Sequence, residues 1–360
     1  MLHFVVGTKA QLIKIAPIMA SLQQRHIEYN FIFTGQHKDT IDKLIQNFNI
    51  KQPDIILYSG KDVTSIIQML FWMIRIIFIT LVYKKYIFCK QGKNDIVLVH
   101  GDTFSTLLGA LMGRLSGKKV AHIESGLRSF NVFHPFPEEI IRILTHALSD
   151  LFFCPGEWAM RNINNSHGMK IDTSFNTLYD SLSIAREQID KISIEVPKYK
   201  YAIISIHRFE NIFNRDRLCA ILDCLNLISE KIKLLFVLHP PTWSQLCKYN
   251  LISKIKYQKN IQLCNRYDYF DFIKLLINSE FLITDGGSNQ EEAYYLGKPT
   301  LLMRKTTERQ DGINRNVVIS NYNISLIMAF VTNYKIYLKN DTRVNTSPSS
   351  LIISYLKHYF

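Results

Sequence analysis

The chain has 360 residues, of which 47% are hydrophobic and 20% charged. This length supports two globular domains with their own cores, and the composition excludes a largely disordered chain. The six cysteines stand singly without a C-x-x-C pair, which argues against a zinc site or a disulfide framework and favours a reducing compartment. The formal net charge of +13 favours acidic partners, with nucleic acid, an anionic membrane surface and a phosphorylated small substrate as the candidates.

Short runs rich in β-branched and aromatic residues alternate with helical patterns in the first part of the chain. They start at residues 2, 29, 95, 119 and 151, and the first, LHFVVG, predicts a strand and a turn rather than a secretion signal. A second series starts at residues 201, 234, 260, 281 and 299. Strands that alternate with helices form parallel sheets covered on both faces. The sequence therefore predicts an α/β fold with two Rossmann-like, doubly wound domains.

Residues 66 to 83, IIQMLFWMIRIIFITLVY, form an almost wholly apolar stretch. The stretch is short for a membrane span, and Arg75 at its middle makes insertion costly. One interpretation is a long helix packed in the N-terminal domain. The other is an interfacial helix that rests on a membrane, with Lys84, Lys85 and Lys90 near anionic headgroups.

The segment from 162 to 181 lies between the two strand series and is rich in Asn and Ser, so it is the best candidate for a hinge. We therefore predict an N-terminal domain over residues 1–168, a C-terminal domain over 169–340, and a tail over 341–360 that packs back on the body. In doubly wound sheets, ligands bind beyond the carboxyl ends of the strands. The residues that follow each strand are therefore the functional candidates.

Charged residues follow the strands of the first domain. Gly7-Thr8-Lys9 opens a helix, which suits an anion such as phosphate, although a glycine there also marks an ordinary tight turn. Asp102, Glu124 and Glu138 follow further strands, and carboxylates gathered at one sheet edge suit general acid–base chemistry. For Asp102 and Glu124 the alternative is capping or an ion pair with Arg128. For Glu138 the alternative is a plain helix start.

Two histidines follow strands of the second domain. His207 and Arg208 come after the strand that starts at residue 201, and His239 comes after the strand that starts at 234. A histidine there can exchange a proton with a leaving phosphate or a sugar carbon, and Arg208 can pair with an anion. A purely structural role is the alternative for each histidine.

A glycine-containing run, DGGSNQEE over residues 285 to 292, follows another strand of the second domain. Its glycines let a diphosphate approach the backbone at a helix N-terminus, and Glu292 one turn later can bind ribose hydroxyls. Cations follow in RKTTER, residues 304 to 309. The alternatives are an ordinary turn before a capped helix and a solvated charged turn.

Together these motifs resemble the bacterial UDP-N-acetylglucosamine 2-epimerase family, in order and over nearly the whole chain. The resemblance rests on FTGQHKD, VHGDT, HIESGLRS, PFPEE, NTLYDSL, HRFEN, DGGSNQEE, LGKP and MRKTTER, which start at residues 33, 99, 122, 135, 176, 207, 285, 296 and 303. Members of that family have two Rossmann-like domains that face each other across a cleft in the glycosyltransferase-B (GT-B) arrangement, with UDP held mainly by the C-terminal domain.

The resemblance implies chemistry at C2 of a UDP-linked 2-acetamido sugar, without a metal or another cofactor. One group removes the C2 proton, UDP leaves C1, and a 2-acetamidoglucal forms, to which UDP or water then adds. The catalytic residues that the resemblance implies are Asp102, Glu124, Glu138 and His207. By the same resemblance, Lys14, Gly287, Ser288 and Glu292 bind substrate, and the positions at strand ends add Lys9, Arg128, Arg208, His239 and Arg309.

Some residues depart from the family pattern. Gly-Thr-Lys-Ala-Gln at 7 to 11 stands where the family has Gly-Thr-Arg-Pro-Glu, so a lysine replaces a bidentate arginine. This change motivates one rival function, a UDP-sugar-binding protein without catalysis. The basic charge and the apolar stretch motivate another, a membrane-associated GT-B glycosyltransferase with a UDP-sugar donor.

Partners and location follow from the same patterns. The basic residues form no stripe interleaved with aromatic residues, so we expect no nucleic acid partner. We expect a cytoplasmic enzyme that acts on a UDP-sugar for surface polysaccharide synthesis, with the inner face of the membrane as the alternative location. Family analogy implies a homodimer, and residues 66–90 are the predicted place of a peripheral membrane contact.

Overall fold

The computed structural model describes residues 1–36, 41–60, 62–63, 66–88, 94–132, 135–342 and 344–359. The chain forms two compact units, the first from Met1–Ile184 with Asn345–Phe360 and the second from Ala185–Val344. Each unit contains one parallel sheet, which confirms the predicted α/β fold with two parallel-sheet domains. Lys90 and residues 37 to 39 of the FTGQHKD motif lie outside the described residues.

The first unit is built on a seven-stranded sheet of order β3-β2-β1-β4-β5-β6-β7. Its strands are β1 (Leu2–Val6), β2 (Tyr29–Phe33), β3 (Ile55–Ile56), β4 (Ile96–His100), β5 (Lys119–Ile123), β6 (Leu151–Cys154) and β7 (Met169–Asp172). Its helices are α1 (Lys9–Gln24), α2 (Ile41–Asn47), α3 (Ile66–Ile87), α4 (Phe104–Leu115), α5 (Glu138–Leu148), α6 (Glu157–Asn162) and α7 (Leu178–Glu187, of which Ala185 onward belongs to the second unit). The central strands are buried along their whole length, as expected for a parallel sheet covered on both faces.

The second unit repeats this plan with a six-stranded sheet of order β10-β9-β8-β11-β12-β13. Its strands are β8 (Tyr201–Ser205), β9 (Lys233–Leu238), β10 (Ile261–Asn265), β11 (Leu282–Thr284), β12 (Thr300–Leu302) and β13 (Val317–Ile319). Its helices are α8 (Phe209–Ile212), α9 (Arg215–Ser229), α10 (Pro240–Lys248), α11 (Ser253–Lys256), α12 (Tyr269–Asn278), α13 (Gly287–Tyr295) and α14 (Ile324–Asn333).

Each sheet reverses its strand order at one point, between β1 and β4 in the first unit and between β8 and β11 in the second. The loops after these paired strands diverge to opposite faces of the sheet and leave a crevice for a ligand. The reversal therefore brings Gly7 and Asp102 to one crevice of the first unit. In the second unit it brings His207 and Asp285 to one crevice.

The division of the chain differs from the predicted boundary at residue 168. The polar segment predicted as a hinge contains β7, which pairs in parallel with β6 over four residues, and the first unit continues to Ile184. The C-terminal helix α15 (Pro348–Leu356) returns to the first unit, where the backbone N–H of Ser349 donates to Asp180 at 2.7 Å.

Helix α3 packs on the first unit along one face only. Trp72, Ile76 and Thr80 are buried at 3% exposure or less, and the Trp72 indole donates to the carbonyl of Thr34 at 3.2 Å. The opposite face is apolar and exposed, through Ile67, Leu70, Phe71, Ile74, Phe78, Leu81, Val82, Tyr83 and Tyr86. By length and composition alone α3 could cross a membrane, and 17% of its most apolar window is buried; a single such helix is weak evidence for a span.

Candidate active site

Glu124 is a buried carboxylate directly after β5, with 8% of its surface exposed. The side chains of Lys14 on α1 and Asn176 both bond its Oε1 atom. Its backbone adopts a left-handed conformation with φ of 62°, which is costly for a residue with a side chain and is concentrated at functional sites. The fold therefore fixes both the backbone and the carboxylate of Glu124.

Asp102 follows β4 and carries a more accessible carboxylate, with a side chain that is 26% exposed. Arg142 on α5 binds it through Nη2 at 2.6 Å and Nε at 3.0 Å, both to Oδ2. Arg128 does not pair with Asp102 or Glu124 in the described contacts; it bonds Glu139 at 2.5 Å. The alternative of an ion pair between Arg128 and either carboxylate is therefore wrong.

Glu138 and Glu139 begin helix α5 but occupy different environments. Glu138 is half-buried at the first position of the helix, as the helix-start interpretation requires. Glu139 is fully buried and accepts from Arg128, from Arg142 at 3.3 Å and from the backbone N–H of Ser129 at 3.1 Å. Burial raises the pKa of Glu139, but these donors outweigh it and hold the pKa below its usual value. A catalytic role for Glu138 stays a prediction.

Two buried histidines lie beside the carboxylates. Burial lowers the pKa of His100 to about 3 and that of His122 to about 4, although the charges of Glu124 and Asp102 act in the opposite direction on both rings. His122 Nε2 lies 2.8 Å from the carbonyl oxygen of Gly101, and the Ser125 hydroxyl lies 3.1 Å from its Nδ1. A neutral His122 therefore donates to the loop that carries Asp102.

The predicted anion loop after β1 is a buried helix cap. Thr8 and Gln11 form a reciprocal capping box, and Gln11 Oε1 also accepts the backbone N–H of Gly7 at 3.0 Å. Gln11 Nε2 reaches the carbonyl of His100 at 3.0 Å, which ties the loop after β1 to the end of β4. Lys9, in the first turn of α1, is buried with 8% exposure. Substrate binding by Lys9 remains a prediction.

Asp285 organises the candidate site of the second unit. It is fully buried after β11 and accepts the backbone N–H of His207 at 3.0 Å and that of Arg208 at 3.0 Å. The side-chain amide of Asn211 donates to it at 2.8 Å, and the hydroxyl of Tyr322 donates to Asn211 at 2.7 Å. This buried network fixes the loop that carries His207.

His207 stacks on His239, with ring centroids 4.3 Å apart and planes 22° from parallel. The protein environment lowers the pKa of His207 through desolvation, and the nearby Asp285 charge offsets this only in part. His239 Nε2 lies 3.3 Å from the hydroxyl of Ser205. The structure therefore brings both predicted histidines together as one stacked pair, with His207 32% exposed.

Helix α13 begins at Gly287, and Ser288 follows in its first turn. A Cβ on Gly287 would lie 2.6 Å from Arg309 Nε, so the backbone here fits closely under the arginine. Arg309 forms an ion pair with buried Glu291. Glu292, the predicted ribose-binding residue, is 3% exposed.

The predicted cation Arg208 also lies in an ion-pair cluster. Its Nη2 atom is 3.2 Å from Glu308, which pairs with Arg304 at 3.2 Å. Burial raises the pKa of Glu308, but the guanidinium groups of Arg208, Arg304 and Arg309 hold it well below its usual range. Arg208 is therefore held in place before any anion binds.

Several residues of these networks were missed from the sequence, namely Asn176, Glu139, Arg142, Asn211 and Asp285. Asp285 and Asn176 stood inside motifs that carried the family resemblance, and Glu139 is adjacent to a predicted residue. Arg142 had one local signal, its spacing of three from Glu139 on a helix. Its pairing with Asp102, 40 positions away, depends on the tertiary fold.

A family model described as UDP-N-acetylglucosamine 2-epimerase matches residues 20–341. A UDP-N-acetylglucosamine 2-epimerase homolog of Methanococcus maripaludis is 35% identical over 322 residues, 84% of each chain. The crystal structure of the Neisseria meningitidis UDP-GlcNAc 2-epimerase bound to UDP-GlcNAc is 28% identical, with a TM-score of 0.83 over 99% of both chains. The Methanocaldococcus jannaschii enzyme in complex with UDP-GlcNAc and UDP is 30% identical, with a TM-score of 0.81 over 100% of this chain and 99% of that one. These likenesses confirm the predicted GT-B-like fold class.

Proposed function

The chain belongs to the UDP-N-acetylglucosamine 2-epimerase family, and we propose that it inverts C2 of UDP-N-acetylglucosamine by elimination and re-addition of UDP. The observation that carries the proposal is the fixed pair of carboxylates at adjacent strand ends. Glu124 is held by Lys14 and Asn176, while Asp102 is held by Arg142.

The reaction needs a base and an acid at the same carbon. A carboxylate takes the C2 proton, the C–H electrons form the C1–C2 double bond, and the C1–O bond breaks with its electrons going to UDP. For epimerisation, a UDP oxygen then adds to C1 while a protonated carboxyl delivers a proton to the other face of C2. Two carboxyl groups are therefore required, and Asp102 and Glu124 supply them in this proposal.

The second unit holds the nucleotide in this proposal. The backbone N–H groups at the start of α13 and the side chains of Arg208 and Arg309 suit the diphosphate. His207 lies beside them, and the negative charge that forms on UDP favours its protonated state. Glu292 accepts hydrogen bonds from the ribose hydroxyls.

Product analysis tests the proposal. Purified protein is incubated with UDP-N-acetylglucosamine, and the mixture is resolved by anion-exchange chromatography. An equilibrium with UDP-N-acetylmannosamine identifies the reversible form, whereas UDP with free N-acetylmannosamine identifies the hydrolysing form. UDP binding without any new sugar species would contradict the proposal, and consumption only with a lipid acceptor would support the rival glycosyltransferase.

Family analogy implies a homodimer, and we further propose that a second copy of the chain covers the exposed face of α3. A two-fold contact needs one self-complementary surface, and large apolar side chains dominate this face. Light scattering should then give twice the chain mass. The competing prediction is a membrane contact through Lys84 and Lys85, which flotation with anionic vesicles would reveal. The cytoplasmic location remains a prediction.

A further inference from the structure

Asn289 lies in the first turn of α13, three residues before Glu292 and therefore on the same side of the helix. Its Nδ2 atom donates to Glu292 Oε2 at 2.9 Å. Its Oδ1 atom lies 3.3 Å from the hydroxyls of both Ser205 and Thr284. Because a carboxylate only accepts hydrogen bonds, the amide nitrogen must face Glu292, and the orientation of the amide is fixed.

The protons along this row of groups can be placed by counting donors. The Thr284 hydroxyl has one proton and lies 2.9 Å from the carbonyl of Ser205, nearer than its 3.3 Å distance to Asn289. Asn289 Oδ1 therefore accepts its hydrogen bond from the Ser205 hydroxyl, at 3.3 Å. Ser205 then accepts from His239 Nε2, at 3.3 Å, which selects the His239 tautomer with its proton on that nitrogen.

We propose that Asn289 is a positioning residue that aims the Glu292 carboxylate at the nucleotide ribose and links it to the His239–His207 pair. This inference rests on the proposed nucleotide role of Glu292. Glu291 next to it is neutralised by Arg309, whereas Asn289 is a neutral donor that orients Glu292 without cancelling its charge. A negatively charged carboxylate with one oxygen held in place is what a pair of ribose hydroxyls requires.

The test compares the affinities for UDP and 2′-deoxy-UDP, measured by calorimetry on the full chain. The wild type should bind UDP more tightly, since it loses a charge-assisted hydrogen bond with the deoxy ligand. Asn289→Leu should reduce the ratio of the two affinities by about tenfold, the order expected for one such bond. Glu292→Gln should also reduce it, and a general loss of UDP binding alone would not change the ratio.

A matched control is Asn226→Leu on α9, where the amide donates to the carbonyl of Lys254 at 3.2 Å. It should leave the ratio unchanged. Should Asn289→Leu not fold, Asn289→Asp keeps the shape but removes the donor, and the ratio should again fall. A ratio unchanged in both Asn289 variants but reduced in Glu292→Gln would overturn the inference and leave the proposed function standing. A ratio unchanged in Glu292→Gln would overturn the ribose role itself, and with it the inference.

Discussion

The two units share one pattern of strand order but carry different kinds of residues at their candidate sites. In the first unit the reversal of the sheet carries carboxylates that are each tied to a cation, Glu124 to Lys14 and Asp102 to Arg142. In the second unit, glycines, a helix N-terminus and a histidine pair lie at the corresponding reversal, around the buried Asp285. Topology thus fixes where a site forms, while the few residues after each strand decide which chemistry it performs.

The two units also differ in the burial of their histidines. His3, His100, His122 and His146 of the first unit all lie in surroundings that lower their pKa values, chiefly by burial. In the described part of the second unit, burial likewise lowers the pKa of His207. Neutral buried rings suit a site whose proton chemistry belongs to carboxylates. A partly exposed ring suits a site that receives a charged diphosphate.

The largest expected effect separates turnover from nucleotide binding. Glu124→Gln removes a carboxylate of the first unit and should lower kcat by about two to four orders of magnitude, the range for one general acid–base group. The affinity for UDP should stay close to that of the wild type. Steady-state kinetics and calorimetry measure the two quantities.

The matched control for this change is Glu157→Gln, because Glu157 is 74% exposed and pairs only with Arg161 among the described ion pairs. It should leave kcat unchanged. Equal losses of kcat and UDP affinity in Glu124→Gln would contradict the division of roles, in which the first unit performs the chemistry and the second binds the nucleotide.

The next largest expected effect is a loss of stability at acidic pH. The unfolded chain titrates its histidines near 6.5, whereas folded His100 and His122 have pKa values of about 3 and about 4. Below pH 6.5 these two histidines bind protons in the unfolded state, whereas in the folded state they stay neutral until the pH reaches their lower pKa values. The free energy of unfolding should therefore fall by about 1.4 kcal/mol per pH unit for each such histidine, until the folded pKa is reached.

Hydrogen exchange, corrected for intrinsic rates, should show the first unit losing protection between pH 6.5 and 4 more steeply than the second. His122→Gln should reduce the slope for the first unit, since one of its titrating rings is gone. Equal slopes in the two units, or a steeper one in the second, would contradict the assignment of neutral histidines.

Two glycines give the smallest and most local effect. A Cβ at Gly101 would lie 3.1 Å from Glu124 Oε2, and one at Gly286 would lie 2.8 Å from His207 Cε1. Gly101→Ala should lower kcat by about tenfold with little change in UDP affinity, and Gly286→Ala should weaken UDP binding by about tenfold. A misplacement of 1 Å in an active site lowers the rate by about a hundredfold. We expect about tenfold for each alanine variant because the displacement is only a fraction of an ångström.

Gly117→Ala is the control for the first of these changes. Gly117 has the same φ of 68° as Gly101, but a Cβ there meets nothing within 4 Å. It should destabilise the fold through the backbone alone and leave kcat intact. A loss of kcat in Gly117→Ala equal to that in Gly101→Ala would assign the effect to strain rather than to the carboxylate.

Much of the fold could be predicted because alternating strands and helices leave a strong pattern. The boundary could not, since β7 has four residues and only Ile171 of them is fully buried, so its sequence resembles a loop. Asp102 and Glu124 could be found at strand ends. Lys14, a partner of Glu124, was also among the predicted site residues. Arg142 and Asn176 could not be found, because they reach these carboxylates from segments 40 and 52 positions away.

The most direct test of C2 chemistry is proton NMR of the wild type with UDP-N-acetylglucosamine in deuterated water. We expect a UDP-linked or free manno product with deuterium at C2, because the proton removed by a carboxylate exchanges with solvent before the other face is protonated. Glu124→Gln should slow the appearance of this signal by the same two to four orders of magnitude as kcat, while UDP still binds. Substrate that keeps its C2 proton and its configuration in the presence of bound wild-type protein would contradict the proposed epimerisation.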